Sequence, residues 1–276
     1  MFMNKEDFIK LQKAQLEIMD EIHRVCVKCG IGYYMIGGTL LGAVRHGGFI
    51  PWDLDIDIAM KRSDYDAFKT ACQTELNSRF CYLDYKNTPD FDHPHALICI
   101  KNTVLVNKFD KYNPSKKNLG IYLDIFPLDY APDNPKLQDK QEAKLLRIKK
   151  LKKLKAGTLY QENFLKKAIK SVIKRGIFWA TVNKLNENMD ACMRQYNESE
   201  TGYLCSMASH YSYKKQCMPK EIYGAPKLLG FENRMYYAPE MTEEYLTRIY
   251  KDYMKLPPES ERNSNLEAFE RVEFEK

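Results

Sequence analysis

The sequence predicts an α/β protein in which helices flank a β-sheet and a helical insert follows the core. Helix-like and strand-like segments alternate up to residue 134, and the pattern from Pro135 to Asn197 is almost entirely helical. Apolar residues make up 44% of the 276 residues, which is ample for a packed core. The chain is therefore long enough for one α/β domain with a substantial insert.

The individual elements follow from periodicity and from helix or strand signals. A first helix is predicted over Lys5–Cys29, because apolar residues recur at three- and four-residue spacing and Gly30 is a natural helix stop. A strand at Ile31–Ile36, a Gly37-Gly38 turn and a short helix at Thr39–Arg45 follow. Further strands are predicted from Asp53 to Met60 and at Tyr82–Tyr85, Ala96–Ile100, Thr103–Lys108 and Tyr122–Pro127, and further helices at Asp64–Asn77, capped by Ser63, and at Thr242–Tyr253.

Three regions are predicted along the chain. Residues 1–134 form the core, residues 135–220 a basic helical insert, and residues 221–276 a C-terminal segment that packs back on the core. The insert carries the positive charge of the chain, since Lys144–Arg175 contains twelve Lys or Arg residues and one acid, Glu162. The rest of the chain has more acids than bases.

The basic segment 144–175 has two interpretations. It is either a solvated helical face or a surface that touches an anionic membrane. Its apolar residues could supply the membrane face: Leu145, Leu146, Ile148, Leu151, Leu154, Phe164, Leu165, Ile169, Val172 and Ile173. Nucleic-acid binding is not predicted, because no recognised nucleic-acid module accompanies the charge.

The location of the protein is inferred from what the sequence lacks. No run of 18 uncharged apolar residues occurs, and the N-terminus has no apolar signal-peptide region. The eight cysteines are scattered and have no zinc-ligand spacing, so we expect free thiols in a reducing compartment. A cytoplasmic protein is predicted, with peripheral contact at the inner face of the membrane as an option.

The strongest chemical signal is the alternating run from Asp53 to Ile58, Asp-Leu-Asp-Ile-Asp-Ile. Residues two apart on a strand share a face, so the three carboxylates project one way and the apolar residues project into a core. Stacked like charges are costly to bury unless a cation neutralises them, and Mg²⁺ prefers oxygen ligands of this kind. A metal site is favoured over the alternative, an edge strand with a solvated acidic face.

Neighbouring residues strengthen the metal interpretation. Gly37-Gly38 opens a short helix, where backbone N–H groups can approach a phosphate. Asp124 lies among apolar residues in a second strand, so it should be paired or metal-bound. Asp129, after Pro127, is predicted to be a turn or cap residue.

The stretch from Ile36 to Ile58, IGGTLLGAVRHGGFIPWDLDIDI, resembles the LicD family of phosphocholine transferases. That family includes fukutin and fukutin-related protein and belongs to the nucleotidyltransferase-fold superfamily. The segments Lys101–Thr103, Tyr122–Asp129 and Leu246–Arg262 are also similar to it. Many bacterial relatives have Asp where this chain has Leu54, which leaves the role of that carboxylate open here.

The resemblance implies a small mixed sheet flanked by helices. It also implies transfer of a phospho-alcohol from a CDP-linked donor to a hydroxyl of a glycan or lipid-linked glycan. Such glycans occur in cell-surface polysaccharide, lipopolysaccharide or teichoic acid. Asp55, Asp57 and Asp124 would hold Mg²⁺, or Mn²⁺, and Asp53 or Asp124 would take the proton of the hydroxyl. The substrate-binding candidates are Gly37, Gly38, Thr39, Arg45, Trp52 and Lys101.

Two other functions remain as alternatives. A glycosyltransferase would use the Asp-x-Asp motif to hold a metal and a sugar nucleotide, although that motif falls unusually early in this chain. A binding or scaffold protein would keep the fold without catalysis, and Leu54 is the feature that favours it. Metal binding separates the scaffold from both enzymes, and donor preference separates the two enzymes.

Overall fold

The computed structural model describes residues 4–107, 119–156, 181–262 and 269–274. They form a mixed seven-stranded sheet flanked by helices, so the predicted α/β class is confirmed. The apolar residues expected at 164, 165, 169, 172 and 173 lie outside the described residues.

The described helices are α1 Lys5–Cys29, α2 Gly37–His46, α3 Arg62–Glu75, α4 Pro135–Ala156, α5 Val182–Met193, α6 Tyr213–Gln216, α7 Lys220–Tyr223 and α8 Thr242–Tyr250. The described strands are β1 Tyr34–Met35, β2 Asp57–Lys61, β3 Phe80–Leu83, β4 Ala96–Ile100, β5 Thr103–Asn107, β6 Tyr122–Ala131, β7 Tyr203–Cys205, β8 Cys217–Pro219, β9 Lys227–Phe231, β10 Arg234–Ala238 and β11 Phe269–Phe274.

Strand β6 organises the sheet. The strand order is β1-β2-β6-β4-β3, and β7 pairs with the C-terminal part of β6 while β8 pairs with β7. Among the described strands of this sheet, β2 and β6 form the one parallel pair, and the remaining pairs are antiparallel. The parallel register places Asp57 directly opposite Asp124. Two of the predicted acids therefore meet because two strands distant in sequence are neighbours.

Helix α1 begins and ends where the sequence predicts. The side chain of Asn4 accepts a hydrogen bond from the Asp7 N–H at the start, and Gly30 ends the helix with φ 66°. Its apolar stripe is buried, and the buried Gln15 amide donates to the Leu54 carbonyl at 2.7 Å. This contact holds the chain just before β2 against the core.

Several predicted boundaries are wrong: helix α2 already begins at Gly37, β1 covers only Tyr34–Met35, and β3 covers Phe80–Leu83. Two further differences concern β2 and α3. The hydrogen-bonded strand begins at Asp57 rather than Asp53, because β1 and β6 first reach the chain at Ile56–Ile58 and leave the preceding residues without a neighbouring strand. Helix α3 begins at Arg62 with Lys61 as its cap, and no side-chain cap hydrogen bond forms. The expected cap Ser63 therefore lies inside the first turn.

Asp129 is not a turn or cap residue, as the sequence suggested. Strand β6 continues past Pro127 to Ala131 because its last residues pair with β7. The Asp129 side chain is fully buried and accepts two hydrogen bonds from the Arg62 guanidinium, at 2.7 and 2.6 Å. Asn197 donates a third at 2.7 Å.

The region predicted as a helical insert contains more than helices. Helices α4 and α5 pack together, but β7 and β8 join the main sheet. Leu145 and Ile148 on α4 are buried, so these two residues are part of the core and not of an exposed apolar face. Among the described helices, none has the length and apolar character needed to cross a membrane. The three-region division of the chain stays a prediction.

The C-terminal segment contacts the first elements of the chain. Strands β9 and β10 form a two-stranded hairpin, and β11 pairs antiparallel with β5. The buried Tyr245 of α8 accepts a hydrogen bond from the Gly37 N–H at 3.2 Å. Helix α8 therefore supports the first residue of α2.

Candidate active site

The site begins with carboxylates at the start of β2 and β6. Leu54, Ile56 and Ile58 are all nearly inaccessible to solvent, which confirms that the apolar residues of the alternating run face the core. Asp55 and Asp57 lie on the other side and line a cavity together with Asp124. Leu54 thus lies on the face opposite the carboxylates.

The carboxylates of this cluster repel one another. Burial is the main cause that raises the pKa of Asp55 well above its usual value, and the neighbouring charges of Asp57, Asp53 and Asp124 add to it. Burial likewise raises the pKa of Asp57, followed by repulsion from Asp124 and Asp53. Asp55 nevertheless keeps part of its surface exposed and lines the cavity. Such a cluster favours a bound cation.

The Gly37-Gly38 turn fits closely around this cluster. Gly37 has φ 55°, and a Cβ atom on it would lie 3.4 Å from an Asp57 carboxylate oxygen. The Thr39 hydroxyl accepts a hydrogen bond from the Asp57 N–H at 2.8 Å. At Gly38, a Cβ atom would collide with the Asp53 carboxylate. The turn therefore fixes the position of the acids as well as opening α2.

The substitution Gly38→Ala is expected to displace Asp53 and lower kcat by about tenfold or more, since small misplacements near reacting groups are costly. Gly47→Ala, at the other end of α2, is the matched control. Its Cβ meets nothing within 4 Å but its φ is 73°, so we expect a stability loss of about 1 kcal/mol with unchanged kcat. Steady-state kinetics and urea denaturation measure both, and equal kcat values for the two variants would contradict the role of Gly38.

Two histidines that the sequence analysis did not select also belong to the site. His95 Nε2 lies 2.5 Å from Asp124 Oδ1, and the His95 ring stacks on Phe126 with centroids 4.1 Å apart. His93, His95 and Asp124 each offer one ligand atom, and these atoms lie within 4.8 Å of one another. Among the residues that the structure describes, the buried Nδ1 of His95 has no hydrogen-bond partner. The available signal was the His-x-His spacing immediately before β4.

Replacing His95 tests whether it holds Asp124. We expect His95→Gln to lower activity and Mn²⁺ affinity by about 10–100-fold, the usual effect of removing a residue that orients a metal ligand. His23→Gln is the control, because His23 lies on α1 and its ring contacts Tyr33. Isothermal titration with Mn²⁺ measures the affinity, and identical titrations for both variants would contradict this role.

The cavity has a volume of about 540 Å³, which is in the range of small-ligand sites. One wall carries the carboxylates and His95, and another carries three lysines from α4. The lining residues are Asp55, Asp57, Asp92, Pro94, His95, Asp124, Phe126, Lys149, Lys152, Lys153, Met189, Ala208, Ser209 and His210. Negative and positive groups therefore face one shared space.

Three of the predicted substrate-binding residues lie elsewhere. Arg45 donates to the backbone carbonyls of Tyr253 and Lys255, at 2.9 and 3.4 Å. Trp52 contacts the His46 ring and the Arg262 guanidinium. Lys101 donates to the Ser78 carbonyl at 2.8 Å. These three residues do not line the cavity described above. Gly37, Gly38, Thr39 and Asp53 are not among its lining residues either, and the roles of all seven stay predictions.

Comparison with known proteins decides the family. The chain is 31% identical over 268 residues to the lipopolysaccharide cholinephosphotransferase LicD of Haemophilus influenzae, covering 94% of this chain and 96% of that protein. The chain belongs to the LicD family. The family model for the LicD/FKTN/FKRP nucleotidyltransferase domain matches residues 30–141. The resemblance inferred from the Ile36–Ile58 stretch is thereby confirmed.

Other matches are shorter. An uncharacterised protein of Rickettsia typhi is 46% identical over 118 residues, which are 43% of this chain and 35% of that protein. Human ribitol 5-phosphate transferase FKRP is 51% identical over 35 residues, which are 13% of this chain and 7% of that protein. The chain is an enzyme of the LicD transferase type. The matched domain contains the carboxylates and histidines of the site, whereas the three lysines of α4 lie beyond its end.

Proposed function

We propose that this chain transfers a phospho-alcohol, such as phosphocholine, from a CDP-linked donor to a hydroxyl group of a glycan, with the help of a divalent cation. The observation that carries the proposal is the register of β2 and β6, which brings Asp57 and Asp124 together with Asp55 at a ligand-sized cavity. The relatives named for cholinephosphate and ribitol 5-phosphate transfer support a phospho-alcohol as the transferred group.

The donor set of the site fits a divalent cation. Burial and mutual repulsion raise the pKa values of Asp55 and Asp57, so a positive ion between these carboxylates would relieve a real electrostatic cost. Asp55, Asp57 and Asp124 would hold Mg²⁺ or Mn²⁺, and His93 and His95 lie close enough to Asp124 to contribute. When bound, the cation would neutralise negative charge on the diphosphate of the donor.

The residues of the chain would carry out the remaining steps. The glycan hydroxyl attacks the phosphorus that bears the alcohol, and the bond from this phosphorus to the bridging oxygen breaks, so CMP leaves. Asp124 lines the cavity and would accept the hydroxyl proton, with His95 hydrogen-bonded beside it. Asp53 accepts a hydrogen bond from the Leu54 N–H, lies against Gly38 and is close enough to Asp55 to raise its pKa.

The decisive experiment is a thermal-shift screen with CDP-choline, CDP-ethanolamine, CDP-glycerol, CDP-ribitol and UDP-sugars, each with and without Mg²⁺. We expect a metal-dependent rise in Tm with one CDP-alcohol, followed by CMP release in the presence of a glycan acceptor. A shift with a UDP-sugar alone would favour the glycosyltransferase. No shift with any compound would favour the scaffold protein.

Contact with a membrane through residues 144–175 is part of the proposal because lipid-linked glycans reside there. Leu146 on α4 is 57% exposed and Leu145 is buried, so the described part of the segment offers a small apolar surface with many lysines. Co-sedimentation with vesicles of anionic lipid at low salt tests it. Binding that disappears at high salt would support electrostatic contact, and absence of binding at low salt would remove it.

A further inference from the structure

The lysines that line the cavity lie on or next to the buried face of helix α4. Lys149 and Lys152 are three residues apart and lie in phase with the buried residues Leu145 and Ile148, so they share one helix face. Lys153 extends the same edge towards solvent. The basic segment therefore does not present all of its charge to bulk water.

The ammonium groups on this wall are held by neutral oxygen atoms. Lys149 Nζ donates to the Ser209 carbonyl at 2.9 Å. Lys152 Nζ donates to the Asp92 carbonyl at 3.0 Å and to Asn186 Oδ1 at 2.5 Å. Within the described part of the chain, no carboxylate forms an ion pair with Lys149, Lys152 or Lys153. At least one N–H of each buried ammonium is left for another acceptor, since an ammonium has three.

This arrangement is electrostatically unbalanced. Lys152 is only 8% exposed, and burial lowers the pKa values of Lys149 and Lys152 because their positive charges are separated from water. Glu142 acts in the opposite direction on the pKa of Lys149, and Asp92 does so on that of Lys152, but burial is the larger cause for both lysines. A buried charge without a counter-ion is costly, so an anion that enters the cavity would restore balance. Asp55, Asp57 and Asp124 line the same cavity, so a purely anionic occupant meets their repulsion unless they are neutralised.

We infer that Lys149, Lys152 and Lys153 bind the phosphate of the departing nucleotide, a role that rests on the proposed function. In that reaction the glycan oxygen forms a bond to the alcohol-bearing phosphorus, and its proton passes to a carboxylate of the site. The bond between that phosphorus and the bridging oxygen breaks. Both electrons stay on the bridging oxygen, so CMP leaves with one more negative charge than it had within the donor.

The three lysines are suited to stabilise the negative charge that develops on CMP. Ammonium groups already positioned in a partly buried cavity need no rearrangement when that charge appears. Charge-assisted hydrogen bonds to phosphate are among the stronger ones in proteins. The lysine wall would therefore hold the nucleotide phosphate, while the carboxylate wall serves the phosphorus that is transferred.

Binding of inorganic pyrophosphate and of CMP, each titrated in the presence of Mg²⁺ so that the carboxylates are neutralised, tests the inference without catalysis. We expect Lys149→Gln and Lys153→Gln each to weaken both ligands by about tenfold in isothermal titrations of the full chain. Lys150→Gln is the matched control, because Lys150 lies on the same helix, has the same charge, is exposed and does not line the cavity. Lys152 is left intact, since its ammonium also holds Asn186 and the Asp92 carbonyl.

The outcomes separate this inference from the proposed function. Equal affinities in the wild type and all three variants would overturn the lysine site, even if a CDP-alcohol is turned over normally. Loss of affinity in Lys149→Gln and Lys153→Gln, but not in Lys150→Gln, supports it. If pyrophosphate affinity depends on the lysines while no CDP-alcohol shifts Tm or releases CMP, the anion site stands and the proposed donor fails. If Lys149→Gln and Lys153→Gln raised the KM for the glycan and left the affinity for CMP unchanged, the lysine site for the nucleotide phosphate would also be overturned.

Discussion

Asp57→Asn is expected to lower the rate of transfer by about 10³-fold or more while making the protein without metal more stable. The rate falls because this carboxylate lies at the centre of the acidic cluster, opposite Asp124, where charge on the donor must be neutralised. The stability rises, on the order of 1 kcal/mol, because asparagine has the same shape and removes a buried charge that Asp124 and Asp53 repel. Activity assays and thermal unfolding in EDTA measure the two effects.

The same variant separates a metal site from an ordinary acidic strand. Mg²⁺ should raise the Tm of the wild type, and it should raise that of Asp57→Asn much less. Asp139→Asn removes an exposed carboxylate at a distance from the cavity and should behave as the wild type does in every assay. If Asp57→Asn lost stability in EDTA and kept its full response to Mg²⁺, the acids would be structural rather than metal-binding.

A site residue could be predicted where a short sequence pattern fixes its position, and could not be predicted where contacts between distant elements do. Asp55 and Asp57 were predictable because alternation along a strand is a local pattern, and Leu54 was correctly placed in the core by the same rule. His95 was not, because it reaches Asp124 only through the pairing of β4 with β6. Lys149 and Lys152 lie in a lysine-rich sequence, which suggests a solvated helix face. Their spacing in phase with buried residues was therefore not recognised.

The helices and strands likewise divide into those fixed by local sequence signals and those fixed by pairing between distant segments. Helix α1 was predicted to the residue, since its apolar stripe and Gly30 are both local signals. Strand β6 was predicted to end at Pro127, yet β7 pairs with the residues beyond it. Strands β7 and β8 are three residues each, too short to show a period inside a helical region. Asp129 was misjudged for the same reason, since its partner Arg62 comes from α3.

Asp129→Asn is expected to reduce the free energy of unfolding by about 3–5 kcal/mol, because breaking a buried ion pair leaves an uncompensated charge. Arg62 and Asp129 are 7% and 0% exposed, and the pair is bidentate. Arg62 also donates to Asp190 at 3.0 Å, so the pair connects β6 and α3 to α5. Urea denaturation measures the loss.

A second bidentate pair in the same region provides the control. Arg194 binds Asp66 at 2.6 and 2.7 Å, but these side chains are 33% and 47% exposed. Asp66→Asn should therefore cost no more than about 1 kcal/mol, since solvent screens the exposed pair. The double variant Arg62→Met with Asp129→Leu should recover most of the stability lost in Asp129→Asn, because it leaves no buried charge unpaired. Equal losses for Asp129→Asn and Asp66→Asn would show that burial does not govern the strength of these pairs, and that β6 owes its position to apolar packing alone.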